Sequence, residues 1–272
     1  MHKISLRLTH ALTLFCLLFA GASPVFAREF FFGGMPQTNG LVANLHITVI
    51  TNEAYVVGYD ETRKDPVWVA YKLVKQKPAY KLARPNIGYP MDEKTLSKVP
   101  ANAYSDSPKD SLIGNQRWDH GHMAANDAIA KVYGKDAQLV TFKMSNMCPQ
   151  SHRLNGGKWK TLESMEYRYS QDSGELWTIC GPIFDKHIRT LTYGIEVPSS
   201  YYKILVRVVN NKPQALAITF GYYPPVGDPL QYLKSHLTTI REIEKATGLD
   251  FFNQLPKTDQ DNLEMVKAVA LW

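Results

Sequence analysis

Two dense segments hold the residues of this chain whose types and spacing can do chemistry. Arg117 to Asp127 sets His120 and His122 one residue apart, with Asp119 before them and Gly121 between. Ser145 to Trp159 gathers Asn146, Gln150, His152 and Asn155 around a Gly156-Gly157 pair. On an extended backbone side chains alternate, so His120 and His122 face the same way. Beside Asp119, such a pair is open to three readings. It can hold zinc with a carboxylate from elsewhere, it can supply a general base near neutral pH, or it can simply hydrogen-bond within a loop. A His-x-His pattern alone does not choose between them.

The second segment narrows the choice. Asn155 stands just before a predicted helix start and Glu163 lies two turns inside that helix. At 100° per residue the two end about 80° apart, on one broad side. A neutral amide oxygen near a carboxylate suits a hard, hydrated cation such as Mg²⁺ better than zinc. Asn155 also fits a plain helix cap. Capping does not account for Asn146, Gln150, Asn155 and Glu163 gathering at one helix start.

The elements that must position these groups read as α+β with a mainly antiparallel central sheet and flanking helices. His46–Ile50 and Tyr55–Tyr59 form a predicted hairpin, and Val67–Val74, nearly continuous in apolar residues, reads as an internal strand. Gln138–Met144 and Glu175–Cys180 read as strands, and the runs at 201–209 and 214–220 form a second hairpin around Asn210-Asn211-Lys212-Pro213. Trp159–Tyr169 fits a helix ended by Gly174. Leu230–Thr247 fits one amphipathic helix capped by Gly248, and a short helix follows from Asp259. Residues 75–116 carry five prolines and no sustained period. A long irregular stretch inside a domain is usually functional, and this one holds Lys75, Lys77, Lys81 and Arg84 just ahead of the first histidine.

The amino-terminal end reads as an export signal, with Lys3 and Arg7, an apolar run from Ala11 to Ala20, and Val25-Phe26-Ala27 as a cleavage site after Ala27. The apolar run is shorter than the roughly 20 residues that span a bilayer. A lipoprotein signal would need a small residue before Cys16, where Phe15 stands. The expectation is a soluble periplasmic or secreted protein with a single domain at 28–272 and no membrane segment after cleavage. Taking Lys3 and Arg7 from 31 basic residues leaves 29 against 25 acidic, a net of +4. That charge is compatible with a polyanionic partner without establishing one. Cys148 and Cys180 remain, open to a disulfide or to two buried thiols.

The ordered set Asp119-x-Gly121-His122-Met123-Ala124, Ser145-Asn146-x-x-Pro149-Gln150 and Leu154-Asn155-x-Gly157-x-Trp159-x-x-Leu162-Glu163 resembles the DNA/RNA non-specific endonuclease family. That family has a ββα-metal site and includes secreted bacterial nucleases and mitochondrial endonuclease G. Trp68-Val69-Ala70-Tyr71, Gly181-Pro182, Val197-Pro198-Ser199-x-Tyr201-x-Lys203 and Ile243-Glu244-x-x-Thr247-Gly248-Leu249 extend the resemblance over most of the chain.

The resemblance implies an endonuclease that cuts DNA and RNA with little sequence preference. His122 would be the general base and Asn155 the direct ligand to one Mg²⁺, with Mn²⁺ able to substitute. Glu163 would hold a metal-bound water, Arg84 would meet the phosphate, and Asn146 would orient the site. Two positions depart from the family pattern. His120 stands where an arginine is usual, and Tyr167 stands at another arginine position with Arg168 beside it. His120 and Arg168 are the expected substrate contacts in their place. Lower activity, or activity favoured at lower pH, follows if His120 must be protonated to act. A nuclease-like protein that holds polyanions without cutting is the alternative, and a homodimer is an alternative to a monomer.

Overall fold

Alternating β-branched and aromatic runs pair into a seven-stranded antiparallel sheet in a computed structural model that describes residues 29–39, 45–76 and 79–272. The expected leader and Lys77 lie outside the described residues. In chain order the strands are β1 (Gln37–Thr38), β2 (Ile47–Thr51), β3 (Tyr55–Asp60), β4 (Asp65–Val74), β5 (Asp119–His122) and β6 (Met147–Gln150), then β7 (Glu175–Ile183), β8 (Ser200–Val209), β9 (Lys212–Gly221), β10 (Leu237–Thr238) and β11 (Leu249–Asp250). The main sheet runs β10-β9-β8-β7-β4-β3-β2, while β5–β6 and β1–β11 are separate two-stranded pairs. The helices are α1 (Asn126–Tyr133), α2 (Lys135–Val140), α3 (Lys160–Ser173), α4 (Pro229–Ser235), α5 (Ile240–Thr247) and α6 (Lys257–Glu264). The expected α+β class, with a mainly antiparallel sheet, is what the chain adopts.

The sheet is covered on both faces, which explains the near-continuous apolar run of β4. Val69, Tyr71 and Leu73 point to one core with Ala124, Ile129, Trp159 and Leu162. Trp68 and Ala70 point to the other with Phe251, Phe252 and Ile243. β8 alternates the same way, Tyr201 and Leu205 on the first face and Tyr202, Ile204 and Val206 on the second. Residues 75–76 and 79–116 stay irregular apart from a 3₁₀ turn at Ser111–Ile113 and an isolated bridge between Asp110 and Gln116. A third cluster, with Val99, Tyr104, Ile113 and Trp118 packed on Met144 and Met147, anchors this segment to the elements that follow it.

Two expectations change, and the open alternative for the two cysteines is decided. Gln138–Met144 is not a strand: Lys135–Val140 is helical and Met144–Asn146 is a 3₁₀ turn. The alternating Val140, Phe142 and Met144 mimic a strand period, but Ala137 and Gln138 are buried in a helix that begins directly after Gly134. The single helix expected over Leu230–Thr247 is broken in two. Leu237 and Thr238 pair with Ile218 and Ala217 on the open edge of β9, and the Thr239 hydroxyl then accepts from Glu242 N (3.2 Å) to start α5. This short strand takes the seventh place in the sheet. Cys148 and Cys180 are free and buried, so no disulfide joins them; the Cys180 thiol donates to Met123 O at 3.2 Å.

One polar contact crosses the first core. Lys203 of β8 and Glu166 of α3, both fully buried, pair at 2.7 Å, and the Tyr71 hydroxyl donates to the second carboxylate oxygen. Burial opposes a charge on Lys203, but the Glu166 carboxylate outweighs it and the ammonium is held above its ordinary range. Removing one partner leaves the other charge buried and uncompensated. Lys203→Met should lose about 3–5 kcal/mol in urea unfolding, and Lys203→Met combined with Glu166→Leu should recover most of that loss.

Candidate active site

The two histidines sit on β5, which pairs antiparallel with β6 in the register Asp119↔Gln150, Gly121↔Cys148 and His122↔Met147. Glycine between the histidines has a steric cause: a Cβ on Gly121 would lie 2.4 Å from the Gln150 side chain. The extended backbone is the one the alternation argument assumed. Beyond β6 the chain turns through a wide π-helical stretch, Leu154–Trp159, before continuing as α3. Such turns commonly mark functional sites.

The strand pair and the helix enclose a cleft of about 770 Å³ that His120, His122, Asn155, Glu163 and Arg84 all line. Asn155 is not a helix cap. Its Nδ2 donates to Asp119 Oδ2 at 3.0 Å, and the same oxygen meets His152 Nδ1 at 2.9 Å. Anchored this way, the amide leaves its carbonyl oxygen free of protein partners. Glu163 Oε1 is buried with no hydrogen-bond partner. Burial pushes its pKa up to about 7, against the opposing pull of Lys203.

His122 is 7% exposed, and its Nε2 is buried without a partner. Burial, with Arg84 and His120 adding to it, holds its pKa near 3. In the empty cleft the ring is therefore neutral at neutral pH. Its backbone is pinned from both sides. Trp159 Nε1 donates to His122 O at 3.1 Å, Asn146 O accepts from Met123 N at 3.0 Å, and Asn146 Oδ1 accepts from Ala124 N at 2.8 Å. Asn146 is fully buried and outside the lining of the cleft, so it acts on the shape of the strand after His122.

His120 is sandwiched between Tyr89 (ring centroids 3.8 Å apart) and Tyr104 (4.1 Å). Burial lowers its pKa to about 4, with Asp119 pulling the other way. Above that pH it contributes a flat neutral ring, so it does not replace an arginine's charge across the neutral range. Arg84 is exposed, reaches Tyr89 Oη through Nη2 at 3.3 Å and sits 4.9 Å from the Phe142 ring. Gln138 donates to Ala83 O at 3.4 Å, which ties the irregular segment to α2 beside Arg84.

Arg168 does not join this cleft; its guanidinium lies 6.0 Å from the Tyr169 ring. Five residues along a helix from Glu163 is a turn of about 140°, which points it elsewhere. Tyr167, at the position where an arginine was expected, carries the Lys131 ammonium 4.9 Å from its ring.

Asp119 as the anchor of Asn155, Tyr89 and Tyr104 as the clamp on His120, and Lys160 in the cleft wall were not singled out from sequence. Asp119 had a signal, its fixed place beside the histidines. The tyrosines come from an irregular segment whose docking no local pattern reveals.

A free amide oxygen, an unpartnered buried carboxylate oxygen and a nearby Asp119 form an oxygen-rich donor set, which fits a hard divalent cation. The zinc alternative lacks its ligands. Among the described residues no third His, Cys, Asp or Glu comes within shared-ion reach of the His120–His122 pair.

Comparison with known proteins identifies the family. The family profile described as DNA/RNA non-specific endonuclease matches residues 37–258. A nuclease of Serratia marcescens is 28% identical over 225 residues, covering 79% of each chain. The mitochondrial nuclease EXOG of Danio rerio is 27% identical over 231 residues, which is 80% of this chain but 64% of that protein's length. A crystal structure of an EndoG/EndoGI complex superposes with a TM-score of 0.71 at 21% identity, covering 88% of this chain and 96% of that one, a likeness of fold. The chain belongs to the DNA/RNA non-specific endonuclease family, nucleases that cleave phosphodiester bonds and depend on a metal ion.

Proposed function

We propose that this protein is an exported Mg²⁺-dependent endonuclease that hydrolyses DNA and RNA with little sequence preference, with His122 as general base. Residues 1–27 serve as its export signal, to the periplasm or beyond, and the remaining chain is its single catalytic domain. One observation carries the reading. The Nε2 of His122 and the Oε1 of Glu163, both buried without a hydrogen-bond partner among the described residues, belong to residues that line one cleft together with Asn155.

Asn155 would hold the ion directly, and Glu163 would hold it through water. When bound, the cation neutralises charge on the phosphate and on the departing 3′-oxygen. His122 Nε2 accepts the proton of the attacking water. The empty-site pKa near 3 keeps the ring unprotonated and able to accept. The negative phosphate arriving beside it favours the imidazolium and raises that basicity when it is needed. Arg84, exposed at the rim, meets a phosphate oxygen. Contacts of this kind go to the backbone of the substrate, which explains low sequence preference.

Plasmid nicking tests the reading directly. Nicking should require Mg²⁺ and stop with EDTA, and His122→Ala should lower it by about 10²–10⁴-fold, the usual weight of a general base, while DNA binding is retained. Binding without any metal-dependent nicking by the parent protein would instead favour a polyanion-binding role. Because His122 and His120 are uncharged in the empty cleft down to about pH 3 and 4, kcat/KM at saturating Mg²⁺, which reports the free enzyme's groups, should be flat between about pH 5.5 and 8, the range of imidazole titration. A bell or an acid optimum in that range would contradict the assignment.

The metal requirement should move with pH even though the saturated rate does not. Glu163, with its pKa raised to about 7, carries a proton below that pH, and the proton competes with the cation. The half-saturating Mg²⁺ concentration should therefore fall as pH rises toward about 7 and level off above it. Glu163→Gln should raise that concentration and remove its pH dependence, measured by nicking across a Mg²⁺ titration.

A further inference from the structure

Arginine charge is distributed unevenly in this molecule. Arg63 pairs with Asp60 and Glu196, and Arg241 with Glu244, Asp261 and Glu264. Arg153 and Arg189 pair with no carboxylate among the described residues; each instead lies over a tyrosine ring. Arg153 sits 4.0 Å from the centroid of Tyr223, and Arg189 sits 5.1 Å from that of Tyr222. These tyrosines adjoin the cleft. Tyr222 packs at a tilt 6.3 Å from Trp118, which lines the cleft, and its carbonyl accepts from Ser151 next to His152, another lining residue. The Nε of Arg189 is buried and has no hydrogen-bond partner. Two planar cations on two rings thus lie next to the Trp118 and His152 part of the cleft lining.

We propose that Arg153, Arg189, Tyr222 and Tyr223 form a second contact track that holds a nucleic-acid strand as it leaves the cleft past His152. The chemistry suits that ligand better than a protein surface. A guanidinium held flat on an aromatic ring keeps its N–H edge for phosphate oxygens and its outer face for a base. Arginines held over rings rather than by carboxylates keep their full charge for a polyanion, and stacking on such faces tolerates any base. The track would add affinity for long strands without touching the bond being cut. This inference rests on the endonuclease reading for its ligand.

The test reads binding without catalysis, so it does not depend on cutting. A fluorescein-labelled single strand of about 20 nucleotides, longer than the 4–16 that one small binding domain covers, is titrated with the full protein in EDTA at several salt concentrations. Losing two phosphate contacts should weaken binding about tenfold and lower the salt slope by about 1.4, at 0.7 per contact on a single strand. That is the expected result for Arg153→Ala/Arg189→Ala with an unchanged melting midpoint. Arg153→Lys/Arg189→Lys should keep the slope, because the charge stays. Arg207→Ala removes an arginine stacked on Trp272 elsewhere and should change neither quantity. The proposal is overturned if the double alanine variant binds like the parent, or if Arg207→Ala lowers the slope as much. Tight binding by the parent with no Mg²⁺-dependent cutting would leave the track standing and remove the endonuclease reading alone.

Discussion

The buried pair of Lys203 and Glu166 sets the geometry on which the cleft depends. It is a buried ionic tie between the central sheet and α3, and Tyr71 completes it from β4. A buried charge pair stabilises little compared with apolar packing of the same shape, but it is strict about position. Here it fixes the rotation of α3, because Glu166 has to point into the sheet. Glu163 lies one turn earlier on that helix and is thereby aimed at the cleft. Trp159, below the Lys203 ammonium at 4.4 Å, reaches across to the carbonyl of His122. One ion pair thus relates the carboxylate side of the site to the histidine side.

The strand carrying the histidines has a different support. β5 and β6 lie outside the main sheet and have only each other as ladder partners. Two strands alone are marginal in water. Asn146 compensates by behaving like an extra piece of backbone: its amide bonds Ala124 twice and Thr141 O once. A buried asparagine satisfied on both its oxygen and its nitrogen holds the turn after His122 in one shape. Reading Asn146 as a reactive group would miss this. Its effect on the reaction passes through the position of His122.

Much of the site was legible because its chemistry is written in local order. Asp119, His122, Asn155 and Glu163 occur in short ordered stretches, and the helix that carries Glu163 has a clear period and a terminating Gly174 with φ 89°. The fold class followed from hairpins that dominate over strand–helix–strand units. What failed was decided by tertiary contacts. Leu237 and Thr238 leave a helix because β9 offers an open edge. Residues 138–140 become helical although the apolar residues around them alternate as in a strand. Arg168 was judged by its neighbour in sequence, when the helix rotation separates residues one apart by about 100°. The stacking of His120 depends on two tyrosines from the irregular segment, and only its docked form shows that.

The two histidines show how far environment decides function. They share a strand face, a type and an acidic neighbour, and burial leaves both uncharged at neutral pH. One is closed between two rings, where a neutral imidazole packs as another aromatic and its proton equilibrium is idle. The other is held by its backbone bonds and meets Phe142 edge-on at 5.1 Å, without a ring stacked on either face; the Nε2 of each is buried without a hydrogen-bond partner among the described residues. A charged group at either place would meet Arg84 or the buried surroundings at high cost. On the proposed reading, a neutral ring at His122 would await a substrate that brings its own negative charge, and the low polarity that makes the resting imidazole a weak base would make it respond strongly to the phosphate. The cleft would then gain its basicity from the substrate, and the cation-side oxygens would set how the metal requirement depends on pH.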